Sequence, residues 1–327
     1  LENRTNPIII KDFITESGAS YSTLPLSFTL SGLPLHTAPI VLVNHALTGN
    51  AEVTGEKGWW NDLIGEGKTI DTNIYTVLAF NVPGNGNDSF VIENYLDFTT
   101  RDIAKIFLKG IETFKIEQLF AIIGGSVGGG IAWEMLALEP NITEHLIPIA
   151  TDWKSTDWMI ANCYLQEQIL NNSSRPIEDA RIHAMLCYRS PESFKEKFQR
   201  TTHEKLSVFN IESWLAHHGE KLQKRYQLSS YKLMNQLLKT IDITRNSEDF
   251  KTLLSKTKAS IHIIGINSDL FFTARENKET YEELKRFKDN VFYSEIDSVH
   301  GHDAFLIEYK QLDHLLADVF KAETIKK

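Results

Sequence analysis

Cysteine is almost missing from this sequence: Cys163 and Cys187 are the only two among 327 residues. Two thiols cannot make a disulfide framework or a cysteine-built metal cage, so a reducing, cytoplasmic setting is expected. Long apolar runs are missing too. The longest span a few residues, against the roughly 20 that a bilayer-crossing helix needs. The opening residues Leu1–Pro7 are polar and carry no signal-peptide pattern. Positive charge is in deficit, with 34 Lys and Arg against 43 Asp and Glu and a formal net charge of -9, which argues against general nucleic-acid binding. No internal repeat or low-complexity stretch interrupts the chain.

What remains is an ordinary globular composition, 42% hydrophobic and 24% charged, long enough for one large domain or a core with an insertion. Extended segments are expected at Phe13–Glu16 and Leu26–Leu30, as antiparallel strands opening a mixed sheet. Further strands are expected at Pro39–Asn44, Asn73–Phe80, Leu119–Ile123, His145–Ala150, Ala259–Ile266 and Val291–Ile296. Helical spacing predicts helices over Thr99–Phe114, Arg275–Phe287 and Gln311–Lys321. Between Trp153 and about Thr240 the pattern is helical without a convincing strand: Trp158–Leu170, Ala180–Tyr188, and one or two helices over Glu212–Leu238. A strand–helix alternation that pauses there and resumes after 258 predicts an α/β fold with a mostly parallel central sheet. Its core would comprise residues 1–152 and 244–327, with a helical lid inserted at 153–243. From Arg175 to Lys232 this lid carries 11 Lys and Arg against 7 Asp and Glu, read either as a solvated surface or as a local field for an anionic substrate.

The most informative stretch is Leu119–Gly130, an apolar run that breaks into glycines around one serine before helix formers begin. Gly124-Gly125-Ser126-Val127-Gly128 fits G-x-S-x-G, the nucleophile elbow of α/β-hydrolases. The serine must sit on a strained turn whose neighbours lack clashing side chains, and the following helix brings free N–H groups and a positive dipole end to an oxyanion. A dinucleotide fingerprint fails because its second glycine would be Ser126, and no G-K-[ST] follows to make a P-loop.

Such a serine needs an acid and a base, in the chain order Ser, Asp or Glu, His, each after a strand. Asp269 ends the strand and turn Ile261–Asp269. Asp297-Ser298-Val299-His300-Gly301-His302-Asp303 follows the last strand, so the base is expected to be His300 or His302.

Other segments extend the pattern: Glu16-Ser17-Gly18, His45-Ala46-Leu47-Thr48-Gly49, Gly58-Trp59-Trp60, Thr99-Thr100-Arg101-Asp102, Asp269-Leu270-Phe271-Phe272 and Gly301-His302-Asp303-Ala304-Phe305-Leu306. Over nearly the whole chain, and in order, they resemble the ESG, HALTG, GWW, T-x-R-D, D-L-x-F and GHDAFL segments of the homoserine O-acetyltransferase family, whose elbow reads GGSMGG. The resemblance implies an α/β-hydrolase fold with Ser126 as acylated nucleophile, His302 as base and Asp269 as its orienting acid. It implies an oxyanion hole from the N–H groups of Leu47 and Val127. Ala180-Arg181-Ile182 and Cys187-Tyr188-Arg189-Ser190 resemble the family's ARM and TYRS segments, which makes Arg181 the partner of the homoserine carboxylate, Tyr188 a pocket residue and Asp303 the partner of the amine. Also implied are a ping-pong reaction with acyl-CoA as co-substrate, no metal or resident cofactor, small-molecule partners only, and a homodimer through the lid. A succinyl donor, another acceptor, or an esterase of the same fold are the alternatives. Four departures bear on access and lid: Val127 for Met, Gly130 for a larger residue, a short loop at Asn81–Ser89 without GSTGP, and a short stretch from Ser126 to Arg181.

Overall fold

The computed structural model describes residues 6–245 and 248–321. It opens with a hairpin, β1 (Ile8–Ile14) and β2 (Ser20–Leu26), that pairs only with itself. The next strand, β3 (Phe28–Gly32), joins the main sheet. The first expected segment thus stops two residues early and stays outside that sheet. Its end is set by a turn in which Gly18 N–H donates to Thr15 O, while Glu16 N–H is taken by Asp102 Oδ1 at 2.9 Å.

The sheet continues with β4 (Ile40–Asn44), the two-residue pair β5 (Ile64–Gly65) and β6 (Ile70–Asp71) standing apart from it, and β7 (Thr76–Phe80). It is completed by β8 (Leu119–Gly125), β9 (Thr143–Ile149), β10 (Ser260–Ile266) and β11 (Val291–Ile296). The order is β11-β10-β9-β8-β4-β7-β3, parallel throughout except for β3 against β7. β4, β7 and β8 are buried along their whole length, which is why their sequences are continuous apolar runs instead of alternating ones. Helices cover both faces, so every parallel strand end with its loop lies at one rim.

The first helix, α1 (Thr100–Thr113), begins at a capping box in which Thr99 and Asp102 satisfy each other's backbone. It buries Ile103, Ile106, Phe107 and Ile111, each such burial worth about 1.5–3 kcal/mol. Helix α2 (Val127–Leu138) is buried from Val127 through Leu136.

The chain leaves the core after β9 and returns beside its own exit: Lys154 and Asp242 form an antiparallel bridge, and Ser155 N–H donates to Ile241 O at 2.9 Å. Between them lie α3 (Asp157–Asn172), α4 (Pro176–Tyr188), α5 (Pro191–Phe198), α6 (Asn210–Gln223) and α7 (Leu228–Lys239). Helix α4 starts earlier than its spacing suggests because Pro176 fits the first turn, and α5 escapes sequence reading because it is only eight residues long. Arg101 anchors the return. Its Nε meets Glu134 Oε2 at 2.9 Å, its Nη2 donates to Asp242 O and Ile243 O at 3.0 and 2.7 Å, and its Nη1 donates to Arg245 O at 2.6 Å. Burial pushes the Glu134 carboxyl up to about 7, with Arg101 pulling the other way. The T-x-R-D segment is therefore a scaffold device that ties elbow helix, α1 and lid return together. The chain closes with α8 (Phe250–Leu254), α9 (Ala274–Lys285), a 3₁₀ turn at Gly301–Leu306, and α10 (Tyr309–Phe320).

Candidate active site

Strand β8 stops at Gly125 and α2 begins at Val127, so Ser126 alone makes the turn, at φ 57° and ψ -130°. Such backbone costs an L-residue about 1–3 kcal/mol and persists only where its surroundings impose it. Here Ser126 N–H donates to Ile149 O at 2.9 Å. Ser126 is 4% exposed, and its Oγ takes no hydrogen-bond partner among the described residues. Glycines on both sides of it allow close approach. A Cβ on Gly125 would stand 2.5 Å from the Phe305 ring, and one on Gly130 would stand 2.4 Å from Ile241 Cδ1. Gly130, a departure from the family pattern, is the point where the lid return presses on the elbow helix.

Asp269 sits in the turn after β10. Its Oδ1 accepts from the N–H groups of Phe271 and Phe272 at 2.7 and 3.1 Å, and its Oδ2 lies 2.7 Å from His302 Nδ1. A carboxylate only accepts, so the imidazole carries its proton on Nδ1 and keeps the Nε2 lone pair that a general base needs. Both groups are nearly sealed, at 4% and 3% exposure. Phe271, Phe272, Tyr188 and Phe305 surround the imidazole with ring centroids 5.1–5.9 Å away. Phe305 also packs on Gly125, and its carbonyl accepts from Trp60 Nε1 at 3.2 Å, so the histidine turn is seated directly on the elbow. His300 faces elsewhere, its Nδ1 at 3.2 Å from Ser193 Oγ on α5. Of the two histidines, His302 is the one brought to Asp269.

The loop after β4 is shaped by a buried imidazole. His45 Nε2 accepts from Val82 N–H at 3.0 Å, so Nδ1–H donates to Ala46 O at 2.8 Å. Burial pushes its pKa down to about 4, which keeps it neutral. Tyr226, between α6 and α7, donates from Oη to Leu47 O at 2.9 Å. Neither Leu47 N–H nor Val127 N–H donates to a described residue, and Val127 N–H is the first of the four that any helix leaves unpaired.

On the lid, Arg181 lies over the Tyr188 ring at 5.5 Å and makes no ion pair among the described residues. Burial raises the Tyr188 phenol well above its ordinary range, with the Arg181 charge opposing and the Asp303 charge adding. One cation and one anion thus act on the same ring beside His302. Asp303, however, faces Arg189 Nε at 3.0 Å, an ion pair the sequence reading did not foresee. Tyr226, Arg189 and His45 also escape sequence reading; only His45 and Arg189, inside recognisable segments, offer a signal. Among the described residues no group of three His, Cys, Asp or Glu could hold a metal.

A strained serine between strand and helix, an Asp–His pair after the last two strands, and unpaired N–H groups beside them define an α/β-hydrolase-fold enzyme, and the family model for the alpha/beta hydrolase fold matches residues 39–176. Homoserine O-acetyltransferase of Cyclobacterium marinum is 32% identical, covering 93% of this chain and 92% of that protein. Among solved structures, homoserine O-acetyltransferase from Staphylococcus aureus superposes with a TM-score of 0.82 at 25% identity, covering 99% of this chain and 100% of that one. Esterase E22 superposes at 0.85 with 16% identity over 96% and 98% of the two chains, a likeness of fold alone. The chain belongs to the homoserine O-acetyltransferase family.

Proposed function

We propose that this enzyme moves an acetyl group from acetyl-CoA to the hydroxyl of homoserine through an acyl-Ser126 intermediate. The observation that carries the reading is the His302–Asp269 hydrogen bond, set against the elbow by Phe305. Ser126 Oγ attacks the thioester carbon as its proton passes to His302 Nε2. The oxyanion is met by the N–H groups of Leu47 and Val127, and the C–S bond breaks with the proton leaving on the CoA thiol. The homoserine hydroxyl then gives its proton to His302, attacks the acyl-serine, and Ser126 is reprotonated. Arg181 holds the homoserine carboxylate and Asp303 its ammonium group, with Tyr188 between them; this excludes water from the attack position.

The assay is thiol release from acetyl-CoA by purified protein. Release that requires homoserine supports the reading; release indifferent to homoserine points to hydrolysis, and preference for succinyl-CoA to a different donor. No described helix is long and apolar enough to cross a membrane, and the site needs small-molecule substrates only, consistent with a cytoplasmic enzyme. A homodimer through the lid is part of the same reading. It is supported by Trp158, Tyr164 and Leu165 on α3 and Leu186 on α4, each close to half exposed. A monomeric mass by light scattering would remove it.

A further inference from the structure

Arg189 has no part in the steps above. It stands at the corner between α4 and α5, which rests on the loop that carries His302. A Cβ on Gly301, itself at φ 67°, would stand 2.9 Å from Tyr188 O and 3.0 Å from Ser190 N. Ser190 Oγ donates to Val299 O at 2.5 Å, and Ser193 Oγ meets His300 Nδ1 at 3.2 Å. Those contacts hold the loop without the Arg189 side chain. What that side chain adds is a charge: Nε faces Asp303 Oδ2 at 3.0 Å, with the two side chains 20% and 18% exposed and the N–H not aligned to donate. Asp303 Oδ1 has no partner among the described residues.

We propose that Arg189 is a positioning residue for the acceptor half of the reaction. It engages Asp303 Oδ2, fixes that carboxylate in the histidine turn, and presents Oδ1 to the ammonium group of an α-amino-acid acceptor. The proposal rests on the reading of Asp303 as ammonium partner, and its test separates the two.

Wild type, Arg189→Gln, Arg189→Lys, Asp303→Asn and the Gln–Asn double variant are compared in two assays. One is single-turnover thiol release from acetyl-CoA without acceptor; the other is transfer to homoserine against 4-hydroxybutanoate, which lacks the amine. Arg189→Gln is expected to acylate within about two-fold of wild type, to raise the homoserine KM about 10-fold or more, and to narrow the preference for homoserine by a similar factor. Arg189→Lys is expected to fall between, and the Gln change to add less than about two-fold on top of Asp303→Asn, because both act through one carboxylate. Wild-type KM and preference in the folded Arg189 variants, additive losses in the double variant, or acylation falling as far as transfer would each overturn the proposal. If Arg189→Gln does not fold, Arg189→Lys carries the same comparison. A wild-type enzyme that ignores homoserine would show instead that the acceptor assignment has failed, and this proposal with it.

Discussion

At the strand ends, Ser126 and Asp269 are placed by main chain, the first by a forced turn and a bond to Ile149 O and the second by two backbone N–H groups, and His302 is held by that carboxylate and a closed cage of rings. On the lid, Arg181, Tyr188 and Arg189 are placed by side-chain contacts between helices and the histidine loop, and the two arginines remain partly exposed. The first arrangement resists change and suits a step common to every acyl donor. The second adapts more easily and suits the choice of acceptor. On the proposed reading the chemistry rests on the core and the hold on the acceptor carboxylate on the insertion, and a variant in one should not behave like a variant in the other.

The largest effect belongs to the strand ends. Ser126→Ala or His302→Ala should lower both thiol release and transfer by about 10⁴-fold or more, and Asp269→Asn by a comparable factor, with circular dichroism unchanged. A variant of this set that loses only transfer would break the division just drawn. Arg181→Ala should do the reverse. It raises the homoserine KM by roughly 10²-fold, the cost of losing a charge-assisted pair, while acylation of Ser126 stays near wild type. Equal loss of both steps would mean the lid takes part in the chemistry.

Stability offers a third comparison, beneath the rim. Asp152, fully enclosed by Thr280, Asn277 and the Trp153 N–H, has its carboxyl pushed up to about 7 by burial, with those hydrogen bonds opposing. Between its ordinary 3.8 and about 7 the folded chain keeps a proton that the unfolded chain has released. Its contribution is whole below 3.8 and is lost as pH rises towards 7. Asp152→Asn should flatten the fall in stability over that window by something on the order of 1–4 kcal/mol, read by urea denaturation at several pH values. An unchanged slope would show that the carboxyl is ionised in the fold. The smallest expected effect is at Tyr226→Phe, which removes the bond to Leu47 O and should slow acylation only several-fold, about 1 kcal/mol. No change would mean that His45 alone shapes the oxyanion loop.

The same division governs what could be read from residues alone. The elbow, the acid turn and the histidine turn are local patterns, each an apolar strand running into a turn, so Ser126 and Asp269 stood out. Two histidines two positions apart cannot be ranked without the resemblance; in the fold, one meets Asp269 and the other Ser193. The lid's long helices were legible, but its corner was not, because Arg189 matters only through a loop more than a hundred residues away. Tyr226 is the same case: nothing near it in sequence says that its hydroxyl reaches Leu47. The opening hairpin was misjoined to the sheet because a strand's partner is a tertiary choice that its own residues do not declare. Glu16 and Arg101, which lie in family segments, turn out to serve the lid return and not the site: Arg245 pairs with Glu16 at 3.0 Å beside Arg101.

The most direct test is the mass of the intact protein after incubation with acetyl-CoA, followed by peptide mapping. The account predicts one acetyl group on Ser126, stable in buffer and removed by homoserine with formation of O-acetylhomoserine. A protein that never gains the group, or loses it equally fast with and without homoserine, would contradict it.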